Sequence, residues 1–473
     1  MGPPSAATGK NAAAVQPAAA GAVKRTAKQA FEEDPSTPPL VKMTSAPYAP
    51  QRHINDHYDI VGFISSGTYG RVYKAVSKRP TTTSQPTQQT AIIKHPTTGK
   101  PIEAFAIKKF KPDKEGELQY TGISQSAIRE MALCTELSHP ALIHLVEIIL
   151  ESKCIFMVFE YAEHDLLQII HHHSLLNRTP IPASTLRSCT HQLLSGLLYL
   201  HRNWVIHRDL KPANIMVTSS GAIKIGDLGL ARLFHKPLHA LFSGDKVVVT
   251  IWYRAPELLL GSRHYTPAID LWAVGCIFAE MLSLRPIFKG EEAKQDSKKA
   301  VPFQRNQMGK IGEILGLPTK SQWPLLPAMP EASNLQSVAL HNPAVNRAAG
   351  LEKWYRNIVA SNNYATASAS ANAPSTRGPP PDSALDLLKQ LLTYDPLKRI
   401  SAEQALQHKY FVGESGQEKV GWNCFEGLES KYPARKVSTE TNEIGTGSLP
   451  GTKRSGLPDD GLRSGVGGVG GKR

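Results

Sequence analysis

The sequence predicts an α+β chain in two lobes, a small antiparallel β-sheet lobe carrying one main helix followed by a larger, mostly helical lobe. Three observations predict it. β-branched and aromatic runs crowd between Tyr58 and Tyr161, and apolar residues at helical spacing take over from Leu166. The 473 residues also exceed the roughly 250 to 300 at which a single hydrophobic core stops growing.

Residues 1–52 are rich in Ala, Pro, Thr and Ser without a sustained period and carry a small basic cluster at Lys24-Arg25, so a disordered leader is expected. The runs Tyr58–Ile64 and Gly70–Val76 flank a Ser/Gly turn and read as a hairpin. Residues 77–101 are polar and rich in Thr, Gln and Pro, which marks an inserted loop before the strand Phe105–Lys109. Ala127, Ile128, Met131 and Leu137 recur at helical spacing behind Ser124, a candidate N-cap. The apolar runs Ile143–Leu150 and Cys154–Tyr161 complete a sheet lobe over 58–161. Helices are expected over Leu166–Ile170, Ala183–His201, Pro267–Leu282 and Ser383–Leu392 in a lobe spanning 162–411, interrupted by irregular stretches at 289–305 and 360–381. After Phe411 periodicity fades, and 412–473 reads as a flexible, basic, Gly-rich tail.

Composition excludes several classes. Five scattered cysteines form no close pair, so neither a disulfide framework nor a zinc knuckle is expected and a reducing, intracellular compartment is. No stretch approaches the ~18 apolar residues of a membrane span, and no membrane association is predicted. The net charge of +14 is spread through loops and tails, which reads as a solvated basic surface without direct nucleic-acid binding. The run His171-His172-His173 has no spaced carboxylate or cysteine beside it and reads as a solvated helix end.

The chemistry concentrates in Val205–Gly229, where Asp209, Lys211, Asn214 and Asp227 stand on loops between β-prone runs. Two carboxylates, an amide and a lysine at these spacings are the equipment of phosphoryl transfer. Upstream, Ser65-Ser66-Gly67-Thr68-Tyr69-Gly70 supplies glycines that allow close backbone approach to phosphates, and Val72 and Lys108 follow it. A strand lysine needs a carboxylate to hold it, and Glu130 in the helix Ser126-Ala127-Ile128-Arg129-Glu130 is the candidate.

Together and in this order, these motifs resemble the eukaryotic protein kinases over Tyr58–Phe411. The resemblance implies the bilobal kinase fold and use of ATP and Mg²⁺. It makes Asp209 the catalytic base and Lys211 the residue that steadies the transferring phosphate, with Asn214 and Asp227 as the metal ligands. It places Ile64, Ser65, Gly67, Gly70, Val72, Lys108 and Glu130 around the nucleotide, and Glu160 and Ala162 at adenine through their backbone, with Phe159 behind them. Ser65 stands at the family's first loop glycine, and Leu228 at its usual Phe. Glu257 and Arg399 resemble the family's lobe-stabilising ion pair, and Asp270–Gly275 the helix beneath the active site.

Val248–Glu257 and the helix motif Ser124-Gln125-Ser126-Ala127-Ile128-Arg129-Glu130 are similar to the cyclin-dependent branch, and with Met308–Pro318 look closest to its Mediator-associated, cyclin C-partnered members of fungal type. That resemblance implies a nuclear protein, a cyclin C-type partner, other Mediator kinase-module subunits, and Ser/Thr-Pro substrates including the RNA polymerase II C-terminal tail and transcription factors. Where this branch carries its activating phosphothreonine, five residues before Thr250, the chain has Asp245, aimed by analogy at Arg129, Arg208 and Arg232. One carboxylate carries about one charge against the roughly 1.5 to 2 of a phosphate, so partner-assisted activation without loop phosphorylation is expected. The rival reading is a kinase-fold scaffold that keeps the partner surfaces and not the chemistry.

Overall fold

The computed structural model describes residues 53–66, 70–78, 94–95, 99, 101–110, 123, 125–151, 154–177, 179–234, 251–262, 264–293, 302–348, 350–361, 379–412 and 432–438. The leader, Gly67, the candidate cap Ser124 and Asp245 lie outside these, as do most of the 77–101 and 360–381 inserts.

The small lobe opens with α1 (Ile54–His57), β1 (Tyr58–Ser66), β2 (Gly70–Ser77) and β3 (Ala104–Phe110), followed by α2 (Gln125–Glu136), β4 (Leu145–Glu151) and β5 (Cys154–Glu160). The strands form one antiparallel sheet in the order β1-β2-β3-β5-β4. The period of two decides what faces what. Phe105 and Ile107 on β3, with Phe156 and Val158 on β5, bury into a satellite core with Ile54, Tyr58, Ala75 and Ile149. The alternate residues Phe110, Met157 and Phe159 turn to the opposite face and join the main core, with Ala127 and Cys134 of α2. Lys108 belongs to that second set, which carries it toward the other lobe. Each fully buried aromatic or aliphatic side chain contributes about 1.5 to 3 kcal/mol to this two-faced sheet.

Beyond Glu160 come β6 (His164–Asp165), α3 (Leu166–His171), α4 (Ala183–Arg202), β7 (Val205–Ile206), β8 (Ile215–Val217), β9 (Ile223–Ile225) and β10 (Arg232–Leu233). Then follow α5 (Pro256–Leu259), α6 (Ala268–Ser283), α7 (Arg305–Leu315), α8 (Leu335–His341), α9 (Leu351–Ser361), α10 (Asp382–Leu391), α11 (Ala402–Leu406) and α12 (Lys409–Val412). α6 is buried on every side from Ile269 to Leu282, its acids Asp270 and Glu280 included, and is the hub of the lobe. Among the described residues no helix is long and apolar enough to cross a membrane, and the four described cysteines are free.

Two expectations are corrected. The histidine run does not end in solvent: α3 passes into a π-turn at His172–Asn177, and His173 is buried with Nδ1 2.9 Å from Thr179 O and Nε2 2.8 Å from Tyr432 Oη. The residue that covers it explains the second correction. Tyr432–Ser438, expected within a wholly flexible tail, packs on the domain and pairs with β1 through Phe63 and Ser438.

Candidate active site

Lys108 is where three separately folded elements meet. Its Nζ lies 2.8 and 2.7 Å from the two carboxylate oxygens of Glu130 on α2, and 3.1 Å from Asp227 Oδ1. Burial opposes the lysine's charge, but the Asp227 and Glu130 carboxylates outweigh it and hold its pKa above the ordinary lysine range. Burial likewise opposes ionisation of Asp227, and there the Lys108 ammonium prevails and lowers the pKa. Burial dominates at Glu130, whose carboxyl is pushed up to about 7. Asp227 itself sits in the left-handed region at φ 61°, at the turn after β9, a conformation that Asp tolerates better than most residues. Two residues on, a Cβ at Gly229 would lie 2.6 Å from Ser126 Oγ, so a side chain there would have to displace Ser126 from this turn.

The catalytic loop follows β7 and is anchored from below by Asp270 at the start of α6. Asp270 accepts the backbone N–H of His207 and of Arg208, both at 2.9 Å, and its Oδ2 is 3.0 Å from His201 Nε2. Burial acts against its charge, but the His201 bond and the neighbouring histidines lower its pKa below the usual carboxylate value. These bonds hold Arg208 at φ 73° and turn the chain so that Asp209 faces the cleft. His207, fully buried, places Nε2 3.0 Å from Gly226 O and so ties this loop to the Asp227 turn.

Asp209 Oδ2 accepts from Lys211 Nζ at 2.8 Å and from Asn214 Nδ2 at 3.1 Å, and the same amide group donates to Asp209 O at 2.8 Å. Since Asn214 spends its NH₂ on Asp209, its amide oxygen is the atom it can offer a cation. With the Asp227 carboxylate this makes a sparse set of hard oxygens, which fits Mg²⁺, an ion that keeps water and phosphate ligands. Among the described residues no group of three or more His, Cys, Asp or Glu forms a dedicated metal cage.

The runs on either side of the Ser/Gly turn form the expected hairpin. Ser65 pairs with Val72 and Val72 with Lys108, while Ile64 lies next to Ser65 on β1. A Cβ at Gly70 would meet Lys109 O at 2.2 Å, so the glycine is required by strand packing as well. At the hinge the Glu160 N–H donates to His144 O at 3.0 Å, so any backbone contact from Glu160 to a ligand runs through its carbonyl, a narrower role than the sequence reading gave it. Ala162 is buried beside it, and Phe159 and Leu228 join the main core.

Sequence reasoning missed what the Glu160 side chain does. Its carboxylate is 2.8 Å from Lys224 Nζ on β9 and 3.4 Å from His95 Nε2 in the insert. Burial opposes its charge, and the His95 bond and Lys224 ammonium lower its pKa nonetheless. No local pattern announces His95, because the stretch around it is polar and aperiodic.

The three arginines expected to form the activation switch have separate contacts. Arg129 donates to Gly229 O from α2, and Arg232 on β10 pairs with Ile206 on β7, two residues before Arg208, whose guanidinium lies 5.7 Å from the Tyr265 ring centre.

A protein kinase domain model matches residues 91–411. The chain belongs to the protein kinase family. The matched segment begins after β2, so β1 and β2 complete the kinase sheet upstream of it. Serine/threonine-protein kinase SSN3 of Phaeosphaeria nodorum is 65% identical over 417 residues, covering 87% of this chain and 87% of that protein. The proteins of the same name from Aspergillus niger, 64% identical over 88% of this chain and 91% of theirs, and Aspergillus oryzae, 62% identical over 89% and 95%, are similar along the same length. This kinase is an ATP-dependent protein serine/threonine kinase, and the geometry around Lys108 and Asp209 is its candidate catalytic centre.

Proposed function

We propose that this kinase is cyclin-dependent and transfers the γ-phosphoryl group of ATP to Ser/Thr-Pro sites, in the nucleus, as the catalytic subunit of a Mediator kinase module partnered by a cyclin C-type protein. Its substrates on this reading are the RNA polymerase II C-terminal tail and transcription factors. The observation that carries the catalytic part is the simultaneous contact of Lys108 with Glu130 and Asp227, which brings α2, the lysine strand and the metal turn into one working arrangement. The branch assignment is supported by the helix motif around Glu130 and by relatives that share this chain nearly end to end.

Bound ATP·Mg²⁺ supplies the transferable phosphoryl group and the cation that neutralises its charge. Lys108 would hold the phosphates, with Ile64, Ser65, Gly67, Gly70 and Val72 closing over them, and Asn214 and Asp227 would hold Mg²⁺. Asp209 orients the substrate hydroxyl and accepts its proton, and Lys211, already 2.8 Å from Asp209, steadies the charge in transfer. Arg129, Arg208 and Arg232 would receive Asp245 in place of a phosphate, with the cyclin supplying the remainder of the activation. Phosphatase treatment should then leave the activity of the purified complex intact, and its loss would overturn activation without loop phosphorylation.

The test is transfer of labelled phosphate to a Ser-Pro heptad peptide, with and without cyclin C, beside a Ser-Ala peptide. Transfer that needs cyclin C and the proline supports the reading. Equal transfer by the isolated chain removes the cyclin requirement, and equal use of both peptides removes the proline specificity.

A further inference from the structure

Tyr432–Ser438 touches both lobes along the side of the hinge. At the small lobe, Phe63 N–H donates to Ser438 O at 2.9 Å and Ser438 N–H donates to Phe63 O at 2.8 Å, an antiparallel bridge that covers the outer edge of β1. β1 is the edge strand of its sheet, so its outward N–H and C=O groups need such a partner. The fit is close: a Cβ at Gly62 would lie 2.5 Å from Ser438 O and 2.7 Å from Val437 Cγ1. At the hinge, Arg435 N–H donates to Glu163 O at 2.8 Å, and its Nε lies 3.5 Å from Asp165 Oδ2. At the large lobe, Pro433 O is 3.1 Å from His164 Nδ1, and Tyr432 is buried with its hydroxyl 2.8 Å from His173 Nε2 and its ring against His164, His172 and His173.

From these contacts we propose that residues 432–438 form a strap, anchored by Tyr432, that fixes β1 and with it the phosphate loop over the nucleotide cleft. The Phe63 bridge lies two residues before Ser65, the first residue of that loop's motif near the end of β1, so the strap acts on ATP by positioning and touches no reacting atom. A further connection between the lobes, beside the hinge and the Lys108–Asp227 and Arg129–Gly229 contacts, lowers the freedom that nucleotide binding must remove. Each strap bond is an ordinary hydrogen bond and weak alone, so the strap is a reversible element whose release exposes the β1 edge.

The experiment uses the full chain, Tyr432→Ala, Gly62→Val and a chain ending at Lys431, and reads two quantities that need no catalytic turnover: hydrogen exchange at the Phe63 amide and the dissociation constant for ATP·Mg²⁺ by calorimetry. All three altered chains should exchange Phe63 about tenfold faster, with α6 protection unchanged, and bind ATP about fivefold more weakly. A synthetic peptide of residues 429–441 should restore both in the truncated chain. Truncation leaves every residue up to Lys431 unaltered and decides the question if Gly62→Val loses α6 protection. Unchanged Phe63 exchange in the truncated chain overturns the strap, and faster exchange with unchanged ATP affinity overturns its positioning role.

Discussion

Arg399 and Lys108 each meet a glutamate at 2.7 Å, one in each lobe, but their surroundings differ in kind. Arg399 is fully enclosed, makes two parallel bonds to Glu257 at 2.7 and 2.9 Å, and donates further to the carbonyls of Ala268, Thr393 and Tyr394. All of its partners lie within the large lobe, so this pair locks a corner. Lys108 divides itself between Glu130, 2% exposed, and Asp227, 37% exposed, which belong to separate elements. A pair closed within one lobe can only stabilise, whereas one that spans α2, β3 and the metal turn exists only when all three align. The same chemistry is therefore structural in one lobe and a test of alignment in the other.

Substitutions should separate the two roles. Lys108→Met is expected to reduce kcat/KM by about 10³-fold with little change in the unfolding midpoint, because it removes charge stabilisation aimed at the phosphates. Glu257→Ala should do the reverse, costing about 3 to 5 kcal/mol in urea unfolding by stranding a buried guanidinium, while activity per folded molecule is retained. If both variants lost stability equally, the distinction between the pairs would fail.

Acid should reach the small-lobe pair. With the Glu130 carboxyl pushed up to about 7 by burial, protonation as pH falls through that value releases Lys108, so the rate should drop on the acid side. The stability sign is opposite. A carboxyl whose folded pKa is raised contributes stability that is complete below its ordinary value and lost as pH rises through about 7. Glu130→Gln should flatten the acid limb of the pH-rate profile at a lower plateau, and an unchanged limb would assign it to another group. The smallest effect is expected at His95→Ala, which removes a bond to Glu160 behind the hinge and should cost about 1 kcal/mol of stability with kcat unchanged.

The working residues were readable because each sits at a fixed offset from a periodic element. The alternation that buries Phe105 and Ile107 sends Lys108 to the other face, and the short runs of β7 and β9 leave Asp209 and Asp227 on the loops beyond them. The hinge ion cluster and the tail were not readable, since their contacts join residues far apart in sequence with no local period. His95 lies in a polar insert and reaches Lys224, 129 residues away, while Tyr432 meets His173 across 259 residues from a stretch whose composition signals only flexibility. The histidine run was misjudged for the same reason, because the residue that buries it is supplied by the tail.

The most direct test of the central claim, that the assembled Lys108–Glu130–Asp227 arrangement serves Asp209 as catalytic base, is phosphate transfer from labelled ATP to a Ser-Pro peptide by the kinase carrying Asp209→Asn, with cyclin C added. Transfer should fall by about 10³-fold or more, with ATP affinity within about twofold of the unaltered kinase. Transfer at an undiminished rate would contradict the account and assign the proton transfer to a group other than Asp209, while no transfer by the unaltered kinase would favour the scaffold reading.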